Sequence, residues 1–258
     1  MLTELLQNWM NSKRCYVTGA SGALGSEICI ALHSLTDLEV VPLRRNENNT
    51  YIPNLQLRNQ DGNRAPKFLV HCGWDTGNRT LAAQSNSKTE TLEIAQYCQE
   101  HEIKMIFISS QSAILGTQSN YGAMKFEAEK IVAEHDGTSV RPGLILFHPP
   151  AGIQKKLYAF SFYGIRIKFY PNVKISVIAV RDITKYLTSI IGEDIPIGST
   201  ATLRNESMPL NALTDLPQRR FGVVIPIPLK LLHAVVRLVG LMRGRVLAIE
   251  DSLSAISF

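Results

Sequence analysis

The sequence predicts a doubly wound α/β protein, a parallel sheet with helices on both faces, and three observations lead to it. From Lys13 to about Arg141, short apolar runs alternate with longer helical patterns, the order that parallel strands require of their crossovers. One run ends in three glycines spaced by three and passes straight into a helical pattern: Cys15-Tyr16-Val17-Thr18-Gly19-Ala20-Ser21-Gly22-Ala23-Leu24-Gly25. The chain has 258 residues, 45% apolar and 19% charged, with a mean hydropathy of +0.01, which excludes a disordered or fibrous protein and provides for a sizeable core. That length fits one large domain, or one domain with a modest appended lobe.

In chain order, Met1 to Met10 carries Glu4 where a signal peptide needs basic residues, and reads as a short lead-in helix. Arg14 to Thr18 is predicted as the first strand, Ser26 to Ser34 as a helix and Leu38 to Leu43 as the second strand. Asn46 to Arg64, rich in Asn, Gln and Arg and without periodicity, reads as a poorly formed strand among loops. Phe68 to Cys72 is a buried strand, Arg79 to His101 a long helix, Met105 to Ser109 a strand, Tyr121 to Glu134 a helix and Ser139 to Phe147 a further strand. His148-Pro149-Pro150-Ala151-Gly152 then turns the chain out of the sheet, separating residues 1–147 from a smaller lobe, 148–258. Within the lobe, Leu157 to Tyr163, Ile175 to Val180, Ile183 to Ile191 and Leu229 to Leu241 can each bury an apolar face. The lobe is expected over the carboxyl ends of the strands, where open α/β sheets place their ligands. Pro226, Pro228, Lys230, His233 and Arg237 interrupt the Phe221 to Met242 tract, which predicts no transmembrane segment.

Charge and cysteines narrow the partners. A formal charge of +5 and a pI near 9.0 suit an anionic ligand and are too small to indicate nucleic acid. Cys15, Cys29, Cys72 and Cys98 form no C-x-x-C pair and have no ligand-spaced histidines, so reduced thiols in a cytoplasmic protein are expected, with no metal site.

The glycine turn predicts a dinucleotide. Gly19 allows the tight turn, Gly22 the close approach of an anion and Gly25 the packing of helix on strand, while Ser21, Ala23 and Leu24 complete a helix N-terminus whose free N–H groups face a diphosphate. After the second strand, where an NAD pocket usually places an acid, stand Arg44 and Arg45. A guanidinium pairs bidentately with a 2′-phosphate, so the expected cofactor is NADP(H), with Arg44 the first candidate, Arg45 the second, and NAD the alternative.

A catalytic group follows. Met105-Ile106-Phe107-Ile108-Ser109-Ser110 takes a strand into a hydroxyl-rich end, and Tyr121-Gly122-Ala123-Met124-Lys125 begins eleven residues after Ser110. At i and i+4 on a helix, the Lys125 ammonium shares a face with the Tyr121 phenol, favours phenolate and fits Tyr121 to exchange a proton with a substrate oxygen. Ser110, with Ser112 in reserve, would hold that oxygen, and Lys125 can also reach ribose hydroxyls. Trp74, Asp75 and Arg79 after one strand end, and His148 after another, are candidates to face substrate. His71, inside a strand, reads as a packed residue.

With these motifs, together with Val70-His71-Cys72-Gly73-Trp74, Ser109-Ser110, Glu129, Val140-Arg141-Pro142-Gly143 and Val180-Arg181-Asp182-Ile183, the chain resembles the short-chain dehydrogenase/reductase superfamily over nearly its whole length. It is closer to the extended or atypical branch, the NAD(P)-dependent nucleotide-sugar epimerase/dehydratase-like proteins. The resemblance implies a Rossmann-type sheet with a small C-terminal substrate lobe, of which about 175–192 returns to the sheet. It implies that Cys72 and Gly73 line the adenosine-ribose and diphosphate path, that Pro142 lies near the nicotinamide carboxamide, and that Tyr121 and Lys125 are the catalytic pair. The implied activity is NADP(H)-dependent reduction of a keto group on a nucleotide-activated sugar or related carbonyl compound. A nucleotide-sugar epimerase is the alternative and a non-catalytic NADP-sensing or interaction protein the second alternative. A homodimer through the helices near Arg79–His101 and Tyr121–Glu134 is also implied. Gln111 and Ser112 stand where sugar 4,6-dehydratases carry an Asp-Glu pair, so elimination chemistry is not expected.

Overall fold

The computed structural model describes residues 14–45, 50–51, 66–117, 119–151, 155, 165–192, 197–204, 206–213 and 223–228. Strands β1 (Arg14–Thr18), β2 (Glu39–Leu43), β3 (Phe68–His71), β4 (Lys104–Ile108) and β5 (Thr138–Pro142) alternate with helices α1 (Ala23–Leu35), α2 (Leu81–Glu100) and α3 (Asn120–Glu134). All five strands are parallel, in the order β2-β1-β3-β4-β5, and a sixth, β9 (Thr200–Leu203), pairs parallel to β5 at the far edge. The order reverses between β1 and β3. There the glycine turn after Thr18 and the segment after His71 emerge side by side at the carboxyl edge.

Each face of the sheet is covered as its side-chain alternation demands. Tyr16, Leu69, Met105 and Phe107 on one face pack with Ile94, Ala95, Tyr97 and Cys98 of α2 and Ala128 and Val132 of α3. Cys15, Val17, Phe68, Val70, Ile106, Ile108 and Val140 on the other meet Ile28 and Leu32 of α1. Helix α4 (Val180–Gly192) completes this second layer with Ile183, Leu187, Ile190 and Ile191, so the Val180-Arg181-Asp182-Ile183 segment does begin a helix that returns to the sheet.

The predicted strand Ser139 to Phe147 is two strands. Pro142 ends β5, and β6 (Leu144–Leu146) joins a second sheet with β8 (Lys174–Ala179) and β10 (Glu206–Pro209). The break falls at Gly143, where a Cβ would lie 2.8 Å from the Ser176 carbonyl oxygen, so β8 crosses too closely for any side chain there. A third pair is formed by β7 (Ile165–Tyr170) and β11 (Val223–Pro228). Met1 to Met10, Leu157 to Tyr163 and Leu229 to Leu241 lie outside the described residues, as does Asn46 to Arg64 apart from Thr50 and Tyr51. Among the described residues no helix is long and apolar enough to cross a membrane.

Candidate active site

At the glycine turn the three glycines have three different physical roles. Gly19 has φ +68°, and a Cβ on it would lie 2.8 Å from the backbone of Cys72 and Gly73. A Cβ on Gly25 would sit 2.3 Å from the Gly19 carbonyl oxygen, so only glycine lets α1 start this close to β1. Gly22 is the most open: its nearest contact would be 3.3 Å, it is the N-cap of α1, and no side chain caps that helix. Ser21, Gly22 and Ala23 are exposed around uncapped N–H groups, a cradle that fits a diphosphate.

The corner between the glycine turn and the segment after β3 is walled by a residue that the sequence left unassigned. The Tyr51 hydroxyl accepts from the Gly19 N–H (2.9 Å), and its ring lies 2.6 Å from where a Gly73 Cβ would be. Arg45 stacks on that ring, 5.1 Å from its centroid, and donates twice to Glu90 of α2, at 2.7 and 3.3 Å. Burial raises the Glu90 carboxyl above its ordinary range while Arg45 pulls it back. Of the two arginines put forward for a 2′-phosphate, Arg45 is thus engaged with a carboxylate; Arg44 is exposed at the end of β2.

Behind the corner runs a buried hydrogen-bond chain. Thr91 Oγ1 gives its proton to the Ser87 carbonyl (2.8 Å), so it accepts from His71 Nε2 (3.1 Å). His71 Nδ1 then accepts from the Thr18 hydroxyl at 2.6 Å, and Thr18 Oγ1 in turn accepts the N–H groups of Cys72 and Gly73, both at 3.2 Å. Burial drives the His71 pKa down to about 3, helped by Lys125 and Arg45, so the imidazole is neutral and fixes the ends of β1 and β3.

The hydroxyl and phenol group stands at the ends of β4 and β5. Ser110 Oγ lies 3.0 Å from Ser112 Oγ and accepts the Ser112 N–H, so the first serine and its reserve form one pair. The Ser109 hydroxyl is buried beside them with no hydrogen-bond partner among the described residues. Ser119 caps α3 by accepting the Gly122 N–H at 3.1 Å. A Cβ on Gly122 would lie 2.3 Å from the Ser112 carbonyl oxygen, so glycine after Tyr121 brings the first turn of α3 against the serine loop. Pro142 closes the other side, its carbonyl accepting the Gln111 N–H at 3.1 Å.

Lys125 faces inward. Its Nζ donates to the Ile108 carbonyl (2.6 Å) and lies 4.3 Å from the Trp74 ring centroid and 4.4 Å from that of Phe107. Burial lowers its pKa to about 7. Trp74 is a core residue, 8% exposed, with its indole N–H on Gln84 Oε1 at 2.7 Å. Arg79 stacks on Tyr121, its guanidinium carbon 3.9 Å from the ring centroid. His148 is exposed on the bend after β6. Glu129 on α3 is buried in a bidentate pair with Arg141. Sequence reasoning left Tyr51, Glu90, Thr91 and Ser109 unassigned. Only Ser109 had a local signal, its place beside Ser110.

A parallel sheet with the glycine turn at its point of reversal, helices on both faces and a tyrosine and lysine one turn apart defines a Rossmann-type α/β fold. No family model matches the chain, and no curated protein does. Among solved structures, a dTDP-4-dehydrorhamnose reductase from Bacillus anthracis in complex with NADP is similar at 17% identity and a TM-score of 0.67, over 84% of this chain and 85% of that one. A UDP-N-acetylglucosamine 4-epimerase from Bacillus cereus is similar at 15% identity and a TM-score of 0.66 (84% and 89%), and MoeE5 in complex with UDP-glucuronic acid and NAD at 14% and 0.66 (83% and 85%). At such identities what they share with this chain is the fold.

Proposed function

We propose that this protein is an NADP(H)-dependent oxidoreductase that reduces a keto group on a nucleotide-activated sugar or related carbonyl compound. One observation carries the reading: the first turn of α3, which bears Tyr121, packs at Gly122 against the backbone of Ser112, whose hydroxyl pairs with that of Ser110, at the same sheet edge as the uncapped glycine turn. A nicotinamide dinucleotide, when bound, supplies or accepts a hydride. Gly19, Ser21, Gly22, Ala23, Leu24 and Gly25 would hold its diphosphate, Arg44 its 2′-phosphate, Cys72 and Gly73 its adenosine side, and Pro142 and the buried Ser109 hydroxyl its other end. Tyr121 donates its phenolic proton to the substrate oxygen, or takes it back in reverse, and Ser110, backed by Ser112, holds that oxygen by a hydrogen bond. Neutral His71 holds the Thr18 hydroxyl, which accepts the N–H groups of Cys72 and Gly73. A cytoplasmic homodimer through the outer surfaces of α2 and α3 accompanies this reading.

The engagement of Arg45 with Glu90 favours a second reading, an NAD-retaining nucleotide-sugar epimerase, because it leaves Arg44 alone to select a 2′-phosphate. Anaerobic incubation with NADPH or NADH against keto-sugar nucleotides and simple ketones, following the reduced nicotinamide, separates the two. Consumption of NADPH with one carbonyl class is expected. Interconversion of an unoxidised nucleotide sugar without net consumption would establish the epimerase, and no reaction with any carbonyl or with such nucleotide sugars would refute both readings.

A further inference from the structure

Arg45 stands at the end of β2, where a second cation could take a 2′-phosphate, yet its fork is already filled. The guanidinium donates to Glu90 of α2 through Nη2 at 2.7 Å and Nε at 3.3 Å, and lies over the Tyr51 ring, 5.1 Å from its centroid. We propose that Glu90 is a cofactor-specificity residue: by holding Arg45 it withholds that cation from the 2′-phosphate and so limits how strongly the corner prefers NADP(H) over NAD(H). The proposal rests on the reading that a nicotinamide dinucleotide sits on the glycine turn.

Nε and one Nη group together are the side-on fork that a carboxylate or a phosphate takes bidentately, and here the carboxylate has both. The charges of the pair offset each other, so what is left of Arg45 offers a dianionic phosphate little net attraction. Exchange is also costly. The Glu90 side chain is 10% exposed, and a phosphate that drew Arg45 away would strand it as a buried charge without its partner.

Both halves of the pair are anchored to the corner where the dinucleotide would lie. The Tyr51 hydroxyl accepts the Gly19 N–H at 2.9 Å, and its ring lies 2.6 Å from where a Gly73 Cβ would be, so the platform under Arg45 is seated on the glycine turn and on the segment after β3. Glu90 immediately precedes Thr91, whose hydroxyl accepts from His71 Nε2 at 3.1 Å, and His71 Nδ1 meets the Thr18 hydroxyl at 2.6 Å. The carboxylate is thereby set through α2 against the ends of β1 and β3. It is part of the frame of the corner.

Fluorescence titration of wild type and Glu90→Gln with NADPH and with NADH gives the ratio of the two dissociation constants. General damage to the corner weakens both ligands and leaves that ratio alone, so the ratio separates specificity from structure. Gln keeps the shape and one acceptor oxygen but gives up the charge, and the ratio is expected to move toward NADPH by about tenfold. Removing Arg45 as well, in the double variant Arg45→Met with Glu90→Gln, is expected to take most of that gain away. An unchanged ratio in Glu90→Gln overturns the proposal, as does a full gain that persists without Arg45; if Glu90→Gln does not fold, Glu90→Ala is read with the same outcomes. The titration needs no substrate and is independent of turnover. Binding of both dinucleotides with an unchanged ratio would sink the Glu90 assignment and leave the cofactor reading standing, whereas binding of neither by wild type would refute the cofactor reading and this proposal with it.

Discussion

Replacing Lys125 with Met should stabilise the protein at neutral pH. Burial lowers the Lys125 pKa from 10.5 to about 7, so the charged form is disfavoured by about 5 kcal/mol. At pH 7 about 4 kcal/mol of that penalty still acts, because the unfolded lysine is fully protonated and the folded one about half so. Met removes the penalty at similar length, but leaves the buried Ile108 carbonyl without its donor, which costs about 1–3 kcal/mol. The net expectation at pH 7 is a gain of about 2 kcal/mol. The sign with pH follows from proton counts. Between the folded and unfolded pKa values the unfolded state binds more protons, so wild type gains about 1.4 kcal/mol per pH unit as pH rises, and below the folded value the contribution is flat. The margin of Lys125→Met over wild type should therefore shrink above neutrality and vanish near about pH 9. Urea denaturation of both proteins between about pH 6 and 9 measures it. A margin that does not change with pH would show that no buried ammonium is being titrated.

Glycine substitutions should separate fold from binding. Gly25→Ala places a methyl 2.3 Å from the Gly19 carbonyl and should cost at least about 2 kcal/mol, visible in melting temperature. Gly22→Ala, at 3.3 Å from the same atom, should melt close to wild type and bind NADPH at least about tenfold more weakly by fluorescence titration. Arg44→Ala should weaken NADPH far more than NADH; equal losses would remove Arg44 from the 2′-phosphate role. Arg45→Ala should instead cost stability, about 2–3 kcal/mol by urea denaturation, because it strands the mostly buried Glu90 carboxylate.

What the sequence made legible was local. The glycine turn, the buried strands around it and the one-turn spacing of Tyr121 and Lys125 are short-range patterns, and each forms where predicted. Ser139 to Phe147 reads as one strand because nothing in it announces that β8 crosses at Gly143. Strand β9, Thr200–Leu203, lacks a buried apolar run because it lies at the sheet edge. Tyr51 is hidden in a polar, aperiodic stretch, and its importance comes from Gly19 and Gly73, far away in the chain. Arg45 with Glu90, and Arg79 with Tyr121, are likewise long-range pairs for which no spacing rule exists. Lys125 shows the same limit: spacing gave its face of the helix, but its contact with Ile108 depends on how α3 seats on β4.

The central claim is that Tyr121 moves the proton. The direct test is Tyr121→Phe, assayed for NADPH binding and for single-turnover reduction of whichever carbonyl class the wild type consumes. The account predicts that binding survives, since the phenol is no part of the diphosphate cradle, and that the rate of reduction falls by at least about a thousandfold. Unchanged turnover in Tyr121→Phe would contradict it.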